Sequence, residues 1–182
     1  LLTLIYLAGC LAALTVLLIN IINLSLLILK YRVKGTRIVL TPPGKESGFS
    51  AAGFIFLSND LEDELKDTIS EHEQRHISNR HFIDTILLRI VAVFFWFNPF
   101  IYLYDRSLKA IHEFEADEQM LDSGNNIISY QRLILNQIFN TSIFTLQNGF
   151  SGRSLIKKRM IMMTKRRSKR TSGLKLLLGL PL

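Results

Sequence analysis

Charge of either sign is missing from residues 1–29, LLTLIYLAGCLAALTVLLINIINLSLLIL, in a chain of 182 residues with a net charge of +7. Acidic residues are missing from Ser123 to Leu182, although residues 153–170, RSLIKKRMIMMTKRRSKR, are dense in lysine and arginine. Aromatic side chains are missing from that same basic run. Cysteine is nearly missing: Cys10 is alone, so no disulfide forms within the chain, and inside the apolar run it reads as a small packing residue. No internal repeat divides the sequence.

Each absence narrows the function. About 20 apolar residues cross a bilayer core, so residues 1–29 read as a transmembrane helix with some tilt. No basic start precedes the run and it is too long for a signal peptide. Asn20 and Asn23 within it are expected to face a neighbouring helix rather than lipid. The acid-free tail suits a cytoplasmic juxtamembrane stretch lying on anionic lipid. Nucleic acid is the disfavoured partner, because bases would have no aromatic side chains to stack on.

The span leads into 30-KYRVKGTR-37, with four basic residues and no acidic one, which places that end in the cytoplasm. The chain begins inside an apolar run and ends on 174-LKLLLGLPL-182, which reads as the start of a second, truncated span. The expectation is a fragment of a multi-pass membrane protein that continues into a C-terminal extracytoplasmic region. Residues 30–173 form its cytoplasmic domain.

Within that domain 36-TRIVLTPPGKESGFSAAGFIFLSND-60 reads as a strand, a Pro-Pro-Gly turn and a second strand. Asn59 or Asp60 is expected to cap the helix that follows. A second helix starts near Phe82 and breaks at Asn98-Pro99. A third runs from Pro99 to about Leu121 and stops at Ser123-Gly124-Asn125. Helical patterns continue over 126–140 and 151–165. The fold class is α+β and mainly helical, with a small β-sheet, flanked by transmembrane helices.

The first of these helices carries His72-Glu73-Gln74-Arg75-His76, the H-E-x-x-H pattern. Positions i and i+4 share a helix face, so both imidazoles can point at one zinc ion, with Glu73 placed to take a proton from water as a general base. A catalytic zinc site needs a third protein ligand from another element. The stretch 112-HEFEADEQM-120 offers it: Glu113 as ligand, Asp117 one turn on to support a ligating histidine, and His112 as the rival ligand. Glu115 points elsewhere. For Glu113 to reach the ion, the apolar hairpin near 87–104 must return to the side it left. It is therefore expected to be interfacial or re-entrant, with Trp96, Tyr102 and Tyr104 at the headgroups. His81 and Asp84 are candidates for a supporting role, Arg89 and Arg106 for pairing with carboxylates, and Met160, Met162 and Met163 for packing.

In order and spacing, His72-Glu73-x-x-His76, His81 and Asp84, 96-WFNPF-100, 113-EFEAD-117, 48-GFSAAGFIF-56 and 155-LIKKRMIMM-163 resemble the BlaR/MecR-type membrane metallopeptidases, and most closely the TonB-linked or signal-transducer version common in Bacteroidetes. The resemblance implies a gluzincin-like zinc endopeptidase on the cytoplasmic face of a bacterial inner membrane, with Zn2+ held by His72, His76 and Glu113. It implies a substrate-binding edge strand formed by Phe49, Ser50, Ala51, Ala52, Gly53 and Phe54. The implied substrate is a cytoplasmic protein or peptide, a repressor or the enzyme itself, and the implied partners are membrane lipid and a second copy in a homodimer. Ala116 stands where the antibiotic sensors of the family often carry cysteine, so β-lactam sensing is not carried over. A non-proteolytic signal- or energy-transducing scaffold with a structural or inactive zinc site is the alternative, and a complete H-E-x-x-H argues against it.

Overall fold

The structure is a computed structural model that describes residues 1–42, 48–140 and 149–165. Most of the expected Pro-Pro-Gly turn and the expected second span at 174–182 lie outside the described residues, as does the end of the basic run beyond Lys165.

An uncharged, leucine-rich sequence with no proline makes α1, Leu2–Tyr31, a single helix about 45 Å long. It is long and apolar enough to cross a membrane, and none of its residues is buried. Among the described residues no other helix covers Asn20 and Asn23, and both are exposed.

Three short strands follow: β1 (Ile38–Thr41), β2 (Phe49–Ala51) and β3 (Phe54–Ser58), in the order β1-β3-β2. β1 runs parallel to β3, and β2 runs antiparallel to it. Residues 49–57 are therefore not one strand. Ala52 and Gly53 have φ of 50° and 80°, the two successive left-handed residues of a tight hairpin turn. Phe49, Ser50 and Ala51 lie on an edge strand, whereas Ala52 and Gly53 form the turn and Phe54 opens the central strand.

Helix α2 (Asp63–Ser78) packs on the sheet, where Ile55 and Leu57 meet Leu65, Ile69 and Ile77. Its N-cap is Glu62, not Asn59 or Asp60; Asp60 instead accepts a hydrogen bond from Ser58. Ile69, His72, Glu73, His76 and Ile77 follow the spacing of one buried helical stripe. The H-E-x-x-H residues thus occupy positions where a core-facing helix normally carries apolar side chains, and the fold must bury them.

Arg80, at φ 59°, turns the chain sharply into α3 (His81–Phe94). The next break follows the sequence: α4 (Pro99–Asp122) begins with proline, and Asn98 Oδ1 accepts from the Phe100 N–H at 3.0 Å. Helices α3 and α4 form a hairpin. Arg89 faces Asp105 at 3.6 Å, and the His81 and His112 rings stack with centroids 3.9 Å apart, so the chain comes back to the level it left. The hairpin tip lies along α1. Phe97 meets Tyr6 edge-on at 6.2 Å, and Trp96 covers Gly9 so closely that a Cβ there would sit 2.1 Å from the indole. Gly9 is about 33 Å along the helix axis from Tyr31. Gly9→Val should therefore force the tip off α1 and cost about 1–3 kcal/mol, an overpacking effect that Trp96→Ala relieves in the double variant. Thermal unfolding in detergent checks this, and equal stabilities for Gly9→Val with and without Trp96 would refute it.

Gly124, at φ 93°, follows the end of α4, and Asn126 Oδ1 accepts from the Ile128 and Ser129 N–H groups to start α5 (Ile127–Asn140). The last described helix, α6 (Gly149–Thr164), packs Met163 with Met120, Tyr130 and Ile134 in a second buried cluster, with Met160 beside it. Met162 does not join this packing; it is exposed.

Candidate active site

Three side chains from two helices converge. His72 Nε2 and His76 Nε2 are 3.2 Å apart on α2. Glu113 of α4 faces both, with Oε2 3.5 Å from His72 Nε2 and Oε1 3.6 Å from His76 Nε2. His72, Glu73 and His76 also hold their potential ligand atoms within 4.8 Å of one another.

The hydrogen bonds behind these groups decide where the imidazole protons are. Tyr130 gives its hydroxyl proton to Asp117 Oδ1 at 2.9 Å, so its oxygen must accept from His72 Nδ1 at 2.7 Å. His72 then carries its proton on Nδ1 and a lone pair on Nε2. On the other ligand, His76 Nδ1 meets His81 Nδ1 at 2.8 Å, while His81 Nε2 faces Glu115 Oε2 at 3.3 Å. His81 donates to the carboxylate and accepts from His76, which leaves a lone pair on His76 Nε2 as well. Two nitrogen lone pairs and a carboxylate converge with no proton between them. Such a set repels itself unless a cation sits among the three groups. The 3.2 Å nitrogen separation suits two bonds of about 2.0–2.1 Å to one ion at a near-tetrahedral angle. The residues fit a metal.

The electrostatics point the same way. Burial lowers the His76 pKa to about 3, only partly opposed by the Glu113 carboxylate beside it, so the ring stays neutral and able to bind metal. Burial alone would raise the Glu113 pKa, but Arg159 and then His72 hold it down, at about 2. Burial pushes the Glu73 carboxyl above its usual range, only partly offset by His72 and by a hydrogen bond from Ser50 on β2. That makes Glu73 a stronger proton acceptor than an exposed glutamate.

A pH dependence follows for the metal-stripped chain. The unfolded His76 takes up a proton near pH 6.5 and the folded one only near pH 3, so His76 makes stability fall as pH drops through that window. Its contribution approaches about 1.4 kcal/mol per pH unit well inside the window. Glu113 adds no slope there above its unfolded pKa of 4.5, because its depressed pKa contributes stability that is lost only as pH falls from 4.5 towards 2. Urea unfolding of chelator-treated protein at pH 7.0 and 5.5 should show the loss, and His76→Gln should reduce it, leaving the share of His112, whose pKa burial also lowers; an unchanged slope in that variant would remove His76 as a source.

The cleft in front of Glu73 and His76 has a volume of about 800 Å3 and is walled by residues 48–53, Ile77 and Phe82. This size is in the range of ligand sites. Strand β2, which among the described residues pairs with β3 on one side only, contributes the wall nearest Glu73.

Several residues take other places than the sequence suggests. His112 makes no contact with the converging trio; it stacks on His81 and bonds Asp84 Oδ2 at 3.3 Å. Asp84 consequently does not touch either candidate ligand histidine and acts at most through His112. Glu115, expected to point away, reaches His81. Two residues escape the sequence reading altogether. Tyr130 lies 58 positions beyond His72, with nothing but one aromatic in a helical pattern to announce it. Arg159 looks like one more lysine or arginine in a lipid-facing run, yet its side chain is only 13% exposed. It bonds Glu113 Oε2 at 2.7 Å and Asp117 at 2.6 and 2.8 Å.

Residues 52–163 match the family model of the BlaR1 peptidase M56, a stretch that includes both converging helices and Arg159. No curated protein and no solved structure matches the chain.

Proposed function

We propose a function from one premise: the chain belongs to the BlaR1 peptidase M56 family, a family of metallopeptidases. The protein is a zinc endopeptidase anchored in a membrane by α1. The observation that carries this is the convergence of two protonless imidazole nitrogens and a carboxylate beside a buried glutamate.

Zinc, when bound, polarises the scissile carbonyl and acidifies water. His72 and His76 would hold it through Nε2, and Glu113 through its carboxylate. Tyr130 with Asp117, and His81 with Glu115, orient the two rings and keep their outer nitrogens protonated. Glu73 accepts the proton of the attacking water and passes it to the leaving amine. The free edge of β2 offers its backbone groups to an extended peptide, which is aligned past Glu73 by strand addition. The turn at Ala52-Gly53 ends that template.

The basic segment after α1 supports a cytoplasmic position for the site, and a cytoplasmic protein, repressor-like or the chain itself, as substrate. With α1 across the bilayer, the tip of the α3–α4 hairpin reaches the depth of Gly9. It is then deeply re-entrant rather than interfacial, and the apolar exposure of Ile83, Leu87, Ile90, Phe94, Phe97 and Phe100 is lipid contact.

The test is zinc content together with cleavage of an unfolded protein substrate by the detergent-purified chain. About one zinc per chain, lost in His76→Ala and Glu113→Ala along with cleavage, is the expected result. Zinc without cleavage under any condition would make the site structural and the chain a scaffold.

A further inference from the structure

We propose that Arg159 is a positioning residue for Glu113, so that zinc is held at full strength only while α6 is docked on α4. The proposal rests on the zinc reading above and adds a means by which a helix carrying no ligand can govern the site.

Lys157 and Lys158 are exposed, and Arg159 alone of this basic triplet turns inward. Its planar guanidinium bridges two carboxylates one turn apart on α4. Nη1 takes Glu113 Oε2, and Nη2 and Nε take the two oxygens of Asp117. A lysine, with a single nitrogen, cannot hold both carboxylates in this geometry. Pinning Oε2 limits how the Glu113 carboxylate can rotate and leaves Oε1 facing His76. Through Asp117 and Tyr130 the same guanidinium also backs the ring of His72. Arg159 thus stands behind two of the three groups that would hold the metal.

Among the described residues, α6 docks on α4 and α5 through Arg159 and a short apolar seam that includes half-buried Leu155 and Ile156. Met163 is buried, Met160 is half-buried, and Gln131 donates to the Met160 carbonyl at 3.2 Å, while Ile161 and Met162 are exposed. The clamp on Glu113 therefore exists only while this seam is closed. Lifting α6 would leave His72, His76 and Glu113 in the chain but remove the clamp on Glu113 and leave Asp117 without its cation. The metal centre is therefore coupled to the position of α6, and whatever moves α6 changes zinc affinity.

The experiment is zinc titration of the whole detergent-solubilised chain against a competing chelator, for wild type, Arg159→Lys, Glu113→Gln, their double variant and Met163→Ala. Thermal unfolding of each stripped protein is measured in parallel. Arg159→Lys should weaken zinc binding by about 10–100-fold. The double variant should lose clearly less than the sum of the two single losses, because Arg159 acts mainly through Glu113, with the route through Asp117 and Tyr130 to His72 left over; a merely structural role would instead add the two losses. Met163→Ala, which touches no ligand, should also weaken zinc by loosening α6, and it carries the test if Arg159→Lys fails to fold. Wild-type affinity in Arg159→Lys, or additive losses in the double variant, would overturn the positioning role. Unchanged affinity in Met163→Ala would overturn the dependence on docking. Absence of zinc from the wild type would overturn the zinc reading itself and this inference with it.

Discussion

Glu73→Gln should keep zinc and lower peptide-bond hydrolysis by about 10^2–10^4-fold. The substitution preserves volume and the contact with Ser50 while removing the only group placed to accept a proton. Glu73 is buried and its carboxyl is shifted upward by that burial, so glutamine should be better tolerated by the fold than the native charge. Folding and metal content are expected to be at least those of the wild type, and the loss should fall on kcat. Cleavage at the wild-type rate by a zinc-loaded Glu73→Gln protein would remove Glu73 from the chemistry.

Asp117→Ala should be the most damaging single change to stability, costing about 3–5 kcal/mol in the stripped protein. Asp117 is 2% exposed and accepts from Arg159 twice and from Tyr130 once. Its removal leaves a buried guanidinium with Glu113 as its remaining partner and a buried hydroxyl with no acceptor. Glu115→Ala is the internal control. That carboxylate is about half exposed, at 48%, and its removal should cost under about 1 kcal/mol. Denaturant unfolding of the two variants gives the comparison, and equal losses would show that the Arg159–Asp117–Tyr130 cluster contributes nothing special to the fold.

The two sites of these predictions differ in how far they were legible. Glu73 lies between two histidines four residues apart, and helical periodicity alone places all three on one stripe of α2. Glu113 and Asp117 were readable for the same reason, as an i, i+4 pair on a helix that had to return. The proline break at Asn98-Pro99 and the stop at Gly124 are local chemistry and fell where expected. The expected edge strand from Phe49 to Phe54 is interrupted by a turn that the residues do not announce, because alanine at φ 50° is a rare occupant of a left-handed position.

What the sequence by itself determined is what repeats at short range: the long uncharged N-terminal helix, the helix stripe carrying the H-E-x-x-H, the breaks, and the carboxylate pair. These follow from periodicity, backbone preference and hydropathy, which act over a few residues. Only the tertiary structure decided which basic residue faces inward, which tyrosine backs His72, that His81 bonds His76 while His112 bonds Asp84, and how far along α1 the hairpin tip reaches. Each of these depends on side chains from distant segments meeting at hydrogen-bond range. In a run such as KKR at 157–159 the three cations are chemically alike, and only the packing of α6 on α4 selects the one that is paired and buried.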